Sequence, residues 1–354
     1  MKVLSISTVE YGNNGITQVI KNIYRSKVFK NDIVDYVFPA ISKDFQLHGL
    51  NEFNLHIIDR YSNKFEYITQ LHRLIHKGKY DIVHIHANSH TAALEMVIAR
   101  FAGAKIIVVH AHSNSCKYKI LHRVMSPLFY LTYDIGVACS QSAGAFMFGR
   151  RRFHIINNGI NIEQFRFNVG ERKRIRNNLG VSEDMILLGH VGYFSSFKNQ
   201  MFLINMMNIL ESNYRLILIG DGDLKEACMQ CANERILFIG STNEVDKYLS
   251  AIDLFLLPSL FEGLGLVLVE AQASGLNCIA SINVPKESNI TGGVQYLPLD
   301  LTEWCDAVTD NAIFVENRER NSQSYCKMIE KGGYSSASSA SSLHDMYREA
   351  LNNP

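Results

Sequence analysis

Two glutamates eight residues apart carry the clearest chemical signal in this sequence. Glu262 lies in a short loop after the apolar run Leu254–Leu257, and Glu270 lies two turns into the helix predicted after that loop. Gly263 and Gly265 free the backbone between the run and the helix. If the loop folds back at the carboxyl end of the strand, both carboxylates face one cavity and contact one ligand.

The start of the same predicted helix is a second chemical signal. Its first backbone N–H groups have no partner within the helix, so the glycine loop predicts a phosphate site. The residues that would supply these amides are Gly263, Leu264, Gly265 and Leu266. Spacing alone leaves an alternative open, because glycine loops before helices occur in many α/β proteins and paired acids on a helix are usually solvated.

The complete string F-E-G-L-G-L-V-L-V-E-A-Q-A-S-G is far more specific than its parts. It resembles the Glu-x7-Glu signature of the retaining glycosyltransferases of family 4, which have the GT-B fold. The resemblance implies that Glu262 lies beside the transferred sugar and that Glu270 holds the ribose hydroxyls of a nucleotide. It also implies that the loop amides bind the diphosphate.

A second string, G-H-V-G-Y-F-S-S-F-K-N-Q, resembles the diphosphate clamp of the same family, which carries an Arg immediately after V-G and a Lys five residues later. Lys198 fits the Lys position, whereas Tyr193 stands where the Arg is expected. A charge-assisted hydrogen bond to a phosphate is worth about 1.5–3 kcal/mol, so this departure predicts weaker donor binding or a substitute cation. The family seats the nucleotide base after a later strand, which implies base contacts from Gly240 and Ser241.

Histidines at alternate positions mark two apolar strands of the N-terminal half. The strings I-V-H-I-H and I-I-V-V-H-A-H are typical of buried parallel strands, and the alternation places each pair on one face. His84 is predicted to be a hydrogen-bonded core residue. His86, His110 and His112 lie at strand ends, where open α/β sheets bind ligands. The resemblance implies a catalytic-region histidine near the acceptor, with His112 the first choice, His110 the second and His86 a further candidate.

The elements that must position these residues form two runs of alternating strands and helices. The first run begins with a strand at residues 3–8, a glycine-bearing loop and a helix from Ile16. The family carries a glycine-rich loop here against the donor phosphates and the acceptor, which implies that Gly15 contacts the donor. The string I-I-N-N-G-I-N resembles the family's linker between domains, and a second run starts at residue 186.

These runs, together with the resemblance, predict an α/β protein with the GT-B fold, in which two Rossmann-like domains face each other across a cleft. We expect an N-terminal acceptor-binding domain at residues 1–165 and a C-terminal nucleotide-sugar-binding domain at residues 166–330. Residues 331–354 are expected to contain a helix, at 343–351, that packs back toward the first domain. The Ser- and Ala-rich tract at 335–342 is too short to be a linker of consequence.

Composition agrees with such a protein without demanding it. The apolar content of 47% and the charged content of 19% are typical of soluble globular proteins, and 354 residues suit two domains. No apolar run reaches the roughly 20 residues that span a bilayer, and the first residues predict a strand, so we expect a cytoplasmic protein. The seven cysteines are scattered, which argues against a disulfide framework, and Cys228 and Cys231 are predicted to be core thiols.

The charge is divided unevenly between the two halves. Residues 1–165 hold 19 basic and 11 acidic side chains, a net charge of +8, whereas the remainder holds 16 and 23, a net charge of −7. Such asymmetry predicts that the N-terminal half meets an anionic surface or substrate. At residues 117–123 basic and apolar residues are interleaved, and a helix there presents a face suited to an anionic membrane; a solvated helix is an equal alternative.

The motifs occur in the order found in the bacterial exopolysaccharide and capsule branch of the family. The resemblance implies that a hexose-type sugar moves, with retention, from a nucleotide diphosphate sugar, most simply a UDP-sugar, to a saccharide acceptor that is commonly lipid-linked. Lys198, the loop amides and the helix dipole are expected to stabilise the departing diphosphate without a metal or other cofactor.

Two other classes of protein compete with this interpretation. A non-catalytic nucleotide- or saccharide-binding protein of the same fold is the alternative that stays open. No compact G-x-G-x-x-G with an acid about 20 residues on follows the first strand, which counts against an NAD-dependent dehydrogenase. We expect no nucleic-acid partner and a location in the cytoplasm or on the inner face of the cell membrane.

Overall fold

Alternating strands and helices build two parallel sheets in the computed structural model, which describes residues 1–12, 14–42, 54–311 and 315–352. The chain divides into two units. One comprises Met1–Gly159 together with Tyr334–Pro354, and the other comprises Ile160–Gly333.

The first unit is built around a sheet of seven described strands. Its elements up to residue 159 are β1 (Lys2–Ser7), α1 (Gly15–Tyr24), β2 (Ile33–Phe38), β3 (Asn54–Ile57), α2 (Lys64–Gly78), β4 (Ile82–Ala87), α3 (Ala93–Phe101), β5 (Ile106–Ala111), α4 (Lys119–Thr132), β6 (Ile135–Ala138), α5 (Gln141–Phe148) and β7 (His154–Ile155). The strand order is β3-β2-β1-β4-β5-β6-β7, and every neighbouring pair is parallel. The order reverses between β1 and β4, which makes their carboxyl ends the ligand-binding position of this type of sheet.

The second unit repeats the same strand order. Its elements are α6 (Ile162–Phe165), α7 (Val169–Leu179), β8 (Ile186–Val191), α8 (Gln200–Met207), β9 (Tyr214–Ile219), α9 (Lys225–Cys231), β10 (Ile236–Gly240), α10 (Val245–Ala251), β11 (Leu254–Leu257), α11 (Leu266–Ala273), β12 (Asn277–Ser281), β13 (Val294–Leu297), α12 (Leu301–Asn311) and α13 (Val315–Lys331). The parallel sheet runs β10-β9-β8-β11-β12-β13. Here the order reverses between β8 and β11, so the loops after these two strands flank the ligand-binding position.

The final helix, α14 (Ser336–Asn352), belongs to the first unit and packs on α1. It begins inside the Ser- and Ala-rich tract, so the prediction that the last helix starts at residue 343 was wrong. Ser339 and Ala340 are buried in the packed face. Small side chains allow that close packing, and a pattern of larger apolar residues does not reveal it.

The cores explain why the central strands form. Every residue of β4 and β5 is buried, as expected for parallel strands covered on both faces. In the second unit, the fully buried Trp304 packs edge-on against Phe202 with ring centroids 5.1 Å apart. Its indole N–H donates to the Pro298 carbonyl oxygen at 2.8 Å, which satisfies the ring's polar atom.

One helix of the second unit was not predicted, and one prediction about a cysteine of this unit needs correction. The helix is α7, whose buried face carries Arg172 and Arg176, so an apolar pattern does not reveal it. Cys228 is buried as predicted, but Cys231 is exposed, so the prediction of a core thiol was wrong there.

Within the described parts of the chain, none of the helices has the length and apolar character needed to cross a membrane.

Candidate functional site

The loops after β8 and β11 meet at the switch point of the second sheet. The backbone N–H of Leu260 donates to the Phe197 carbonyl oxygen at 2.7 Å. The Asn199 side-chain amide donates to the Pro258 carbonyl oxygen at 3.4 Å. Residues 192–199 and 258–265 are therefore held together where parallel sheets of this order bind ligands.

An ion pair between Lys198 and Glu262 lies at the centre of these loops. The Lys198 ammonium donates to Glu262 Oε1 at 2.6 Å, and the Ser259 hydroxyl donates to the same oxygen at 2.7 Å. The side chains of Lys198 and Glu262 are only 22% and 10% exposed. A charge-assisted bond in such a partly shielded place orients both groups more firmly than a surface ion pair would.

The helix that follows Glu262 has the free N-terminus that the sequence predicts. Gly265 precedes the first helical residue, Leu266, with φ 77°, a left-handed conformation that favours glycine, and no side chain caps the helix. Gly263 is exposed and Leu264 is buried in the intervening loop. The first turn of α11 therefore presents backbone N–H groups and the positive end of a helix dipole beside the Lys198–Glu262 pair.

Glu270 lies on α11, half-buried, at the same site. Burial raises the pKa of its carboxyl to about 7, while the nearby Lys198 charge lowers it and Asp246 raises it slightly further. The Lys198 ammonium also forms a hydrogen bond with Glu262, so one cation interacts with both of the acids that the sequence singled out. A carboxyl with a pKa near neutrality in a ligand-binding position is a mark of a functional group.

Tyr193 lies in the loop after β8, where the resemblance led us to expect an Arg. Its hydroxyl donates to Asp223 Oδ1 at 3.1 Å. The neighbouring residue ties this loop to the one after β9, because the Phe194 N–H donates to the Asp221 carbonyl oxygen at 2.8 Å. Gly220 makes the close approach possible: a Cβ there would lie 2.2 Å from the Gly192 carbonyl oxygen.

Gly240 and Ser241 follow β10 at the adjacent strand end. Gly240 has φ 78°, and its carbonyl oxygen accepts from the Gly220 N–H at 2.9 Å, while Ser241 is exposed. A Cβ on Gly240 would lie 3.7 Å from the Lys225 ammonium, which bonds Asp221 at 3.3 Å. The two residues thus line the edge of the same loop cluster.

Two polar residues of this site were missed by sequence reasoning. Ser259 is fully buried and holds Glu262, and its position three residues before that acid was the only available signal. His190 is also fully buried, with its Nδ1 2.9 Å from the Leu256 carbonyl oxygen, and burial lowers its pKa to about 3. The neutral ring therefore donates from Nδ1 and supports the strand below the loop.

The histidines predicted from the strands of the first unit come together on one face of its sheet. His86 and His110 lie opposite each other in β4 and β5, and His112 follows β5. His86 Nδ1 lies 2.9 Å from His112 Nε2, and all three rings are buried. Burial lowers the pKa of His112 to about 4, against the smaller opposing influence of the Asn158 side chain.

Gly15 is exposed at the first residue of α1, directly after the loop that follows β1. A Cβ added there would meet no atom within 4 Å, so no described neighbour requires a glycine. The open space leaves the helix start accessible. The predicted residues are therefore divided between the two units. Gly15 and the histidines belong to the first unit, and the second contains the acids, Lys198, Tyr193, Gly240 and Ser241.

Each half of the chain matches a family of known proteins. Residues 14–164 match the model described as Glycosyltransferase Family 4, and residues 186–311 match the model described as Glycosyl transferases group 1. The first match contains the histidine strands and the second contains Lys198 and both acids.

Individual relatives carry related descriptions. The chain is 33% identical over 249 residues to a putative glycosyltransferase, EpsF, of Bacillus subtilis, and the match spans 64% of each chain. It is 29% identical over 236 residues, 60% of this chain and 61% of the relative, to the Escherichia coli UDP-Gal:alpha-D-GlcNAc-diphosphoundecaprenol alpha-1,3-galactosyltransferase. The chain thus spans less than two thirds of the length of these relatives.

The fold also has solved counterparts. The crystal structure of Anabaena Alr3699/HepE in complex with UDP-glucose superposes with a TM-score of 0.81 at 18% identity, covering 99% of this chain and 100% of that one. The chain has the GT-B fold, as predicted. Together with the family matches, the fold supports a GT-B glycosyltransferase.

Proposed function

We propose that this chain is a retaining glycosyltransferase that moves a hexose-type sugar from a UDP-sugar to a saccharide acceptor in exopolysaccharide or capsule synthesis. The observation that carries the proposal is the Lys198–Glu262 pair beside the uncapped start of α11, at the switch point of the second sheet. This arrangement offers a cation, backbone donors and a carboxylate to one ligand, as a nucleotide diphosphate sugar requires.

The diphosphate is assigned to Lys198 and the first turn of α11. Negative charge grows on the diphosphate as the sugar leaves, so an ammonium and aligned N–H groups stabilise the transition state more than the ground state. Tyr193 brings a hydroxyl bonded to Asp223 in place of a second cation. Lys198 is therefore proposed to supply a larger share of the electrostatic stabilisation of the diphosphate than the corresponding Lys would in a clamp that also contains an Arg.

The two acids receive different roles. Glu262 is held by Lys198 and Ser259 at the loop, which suits a carboxylate that lies beside the transferred sugar. Glu270 lies deeper on α11 and is proposed to accept hydrogen bonds from the ribose hydroxyls. No covalent nucleophile is assigned. Base contacts are proposed for Gly240 and Ser241, at the end of β10.

The first unit is proposed to bind the acceptor. His112 is the preferred catalytic-region residue, with His110 and His86 as supporting candidates, and Gly15 marks the accessible loop after β1. The name of the Escherichia coli relative describes an acceptor built on an undecaprenol diphosphate, which supports a lipid-linked saccharide acceptor for this chain. The complexes of the Anabaena protein with UDP and UDP-glucose support UDP as the nucleotide.

Helix α4 is proposed to bring the first unit to the inner face of the cell membrane. Ile120, Val124, Leu128 and Leu131 recur at helical spacing and are 41–83% exposed. Exposed basic residues flank this apolar face at Lys117, Lys119 and Arg123, and a second basic cluster lies at Arg150, Arg151 and Arg152. The Arg151 guanidinium packs over the Tyr130 ring of α4, which places this second cluster beside the helix.

The decisive experiment combines product stereochemistry with nucleotide binding. We expect NMR to show retention at the anomeric carbon, with equal rates with and without added Mg²⁺ or Mn²⁺. Glu270→Ala should lose UDP affinity in isothermal titration, whereas Glu262→Ala should lose turnover with a smaller loss of UDP binding. The exposed Glu226 of α9 provides a matched control, and Glu226→Ala should change neither quantity.

Three results would contradict parts of the proposal. Inversion of configuration would exclude the retaining mechanism. A requirement for Mg²⁺ or Mn²⁺ would exclude metal-independent transfer. Binding of free saccharide without UDP binding or turnover would instead identify the alternative, a non-catalytic saccharide-binding protein of this fold.

A further inference from the structure

A layer of histidines lies on one face of the first sheet. His84 and His86 alternate along β4, and His110 lies on β5 directly opposite His86 in the parallel register. The ring centroids of His84 and His86 are 4.2 Å apart, and those of His110 lie 5.3 Å and 5.5 Å from the other two. Three imidazoles from two neighbouring strands are thus gathered at one place.

These rings contain an unusual number of unpaired polar atoms. All three side chains are 0% exposed. Among the described residues, His84 Nε2, His86 Nε2 and both ring nitrogens of His110 have no hydrogen-bond partner. Burying a polar atom without a hydrogen-bond partner destabilises a protein, so several such atoms close together indicate that something else satisfies this cluster.

The other nitrogens of His84 and His86 are held by partners. His84 Nδ1 contacts the hydroxyls of Tyr347 and, at 3.0 Å, Tyr24, and these two hydroxyls lie 2.9 Å apart. His86 Nδ1 lies 2.9 Å from His112 Nε2. If Nδ1 of His84 and Nδ1 of His86 each donate a proton to these partners, the Nε2 atom of each ring keeps a lone pair that is free to bind a ligand inside the cluster. Outer hydrogen bonds of this kind orient metal-binding histidines in proteins.

We propose that His84, His86 and His110 form a buried site for a divalent transition-metal ion such as Zn²⁺. One ligand nitrogen of each ring lies within 4.8 Å of those of the other two. Zn–N bonds of about 2.0–2.1 Å in tetrahedral geometry need nitrogens roughly 3.4 Å apart, so the stacked rings turn inward when the ion binds. Imidazole ligands without a carboxylate favour Zn²⁺, Cu²⁺ or Ni²⁺ over Mg²⁺ and Ca²⁺.

The ion would join parts of the first unit that are distant in sequence. It bridges β4 to β5, and through Tyr347 and Tyr24 it reaches the packed pair of α14 and α1. Binding to the folded form alone would raise the stability of this unit. The ion itself would take no part in breaking or forming bonds, although it would fix His86 and His110, which the proposed function places near the acceptor.

The test uses the full chain, stripped with a chelator and titrated with Co²⁺, which absorbs visible light strongly when tetrahedral. His72 and His76 form a stacked pair on α2 that offers a competing surface site, so the titration is done in a His76→Ala background. We expect one equivalent of Co²⁺ to bind, with visible absorption bands, and Zn²⁺ to displace it. Absence of stoichiometric binding in this background would overturn the proposal.

Graded variants identify the ligands. His110→Ala should abolish the absorption bands, and Tyr347→Phe, which removes an outer hydrogen bond, should weaken binding about 10- to 100-fold. His154→Ala, at an exposed histidine of β7, serves as the control and should bind Co²⁺ normally. Unchanged Co²⁺ binding by a folded His110→Ala protein, as judged by circular dichroism, would refute the assignment of the ligands.

The outcome can be separated from that of the proposed sugar transfer, because the readouts are absorption and the midpoint of thermal unfolding. Zn²⁺ should raise that midpoint whether or not UDP is present. If a chelator slows sugar transfer and Zn²⁺ restores it but Mg²⁺ does not, the loss belongs to the histidine site.

Discussion

At the residue scale, Glu270 lies in a ligand-binding position where burial of its charged form lowers the stability of the folded protein. Its carboxyl has a pKa of about 7 in the folded protein because burial disfavours the charged form, whereas its ordinary value is 4.5. The folded state therefore holds this proton more tightly than the unfolded state does. The resulting stability is present below pH 4.5 and is lost as the pH rises through about 7.

Glu270→Gln should remove this pH dependence, since the amide is neutral throughout. We expect the free energy of unfolding of the variant, relative to wild type, to increase by about 1–3 kcal/mol between pH 5 and pH 8. Urea denaturation at the two pH values measures it, with Glu303→Gln at an exposed position of α12 as the control. An equal difference at both pH values would show that Glu270 is not held protonated by burial.

Site residues could be predicted from the sequence when they stand close together in the chain. Glu262 and Glu270 stand in one continuous string, and its spacing identified both. Lys198 comes from another loop and was found through the resemblance of its own string. Ser259 and Tyr347 gave no comparable signal, because their partners are set by the folded chain: Tyr347 contacts His84 across 263 positions of sequence.

At the element scale, a buried charge cluster fastens α7 to the second sheet. Asp253, directly before β11, bonds Arg172 at 2.7 Å and Arg176 at 2.9 Å, and it also accepts from the Leu187 N–H at 2.7 Å. All three charged side chains are less than 9% exposed. Removing the carboxylate would leave the two buried guanidinium groups with only the exposed Glu183 as an acidic partner, at 3.9 Å from each.

Asp253→Asn is expected to lower the free energy of unfolding by about 3–5 kcal/mol, as breaking a buried ion pair typically does. Chemical denaturation followed by circular dichroism measures the loss. The Glu171–Arg174 pair lies on the same helix with side chains 30% and 44% exposed, so Glu171→Gln provides a matched control that should change stability little. Comparable losses for both variants would show that burial does not strengthen the Asp253 cluster.

Elements were predictable where an apolar repeat was visible. The strands β4, β5 and β11 stand out as continuous apolar runs, and α11 follows a glycine loop. The apolar repeat is weaker in helices that are held by interactions other than the burial of large apolar side chains. In α7 buried arginines replace apolar residues, and in α14 small serines and alanines pack closely, so the start of each helix was not found.

At the scale of the whole molecule, the repeated alternation of strands and helices predicted two Rossmann-like sheets, and the GT-B fold followed only when the family resemblance was added. In both sheets the strand order runs outward from a central strand and reverses once, as in doubly wound sheets. The packing of α14 within the first unit was expected only from the resemblance. No local pattern could supply it, because the contacts of α14 with α1 join the two ends of the chain.

The uneven distribution of charge between the two halves of the chain predicts binding to anionic membranes. The half with a net charge of +8 contains α4, whose exposed apolar face is flanked by Lys117, Lys119 and Arg123. Each basic residue near an anionic bilayer contributes about 1 kcal/mol of attraction, and the apolar side chains can enter the interface. We therefore expect the protein to co-sediment with vesicles that contain anionic lipid and to leave neutral ones unbound.

Replacing Lys117, Lys119 and Arg123 with Glu should abolish this co-sedimentation, because reversal of three charges turns attraction into repulsion at the apolar face. The matched control replaces Lys64, Lys77 and Lys79, which are also exposed, at α2 and its end, and it makes the same change in net charge. If α4 is the contact, the control retains most of the binding. Raising the salt concentration should release the wild-type protein progressively, since the Debye length shortens from about 10 Å at 0.1 M to about 3 Å at 1 M. Equal losses in both variants would show that the net charge of the whole half, and not this helix, brings the protein to the membrane.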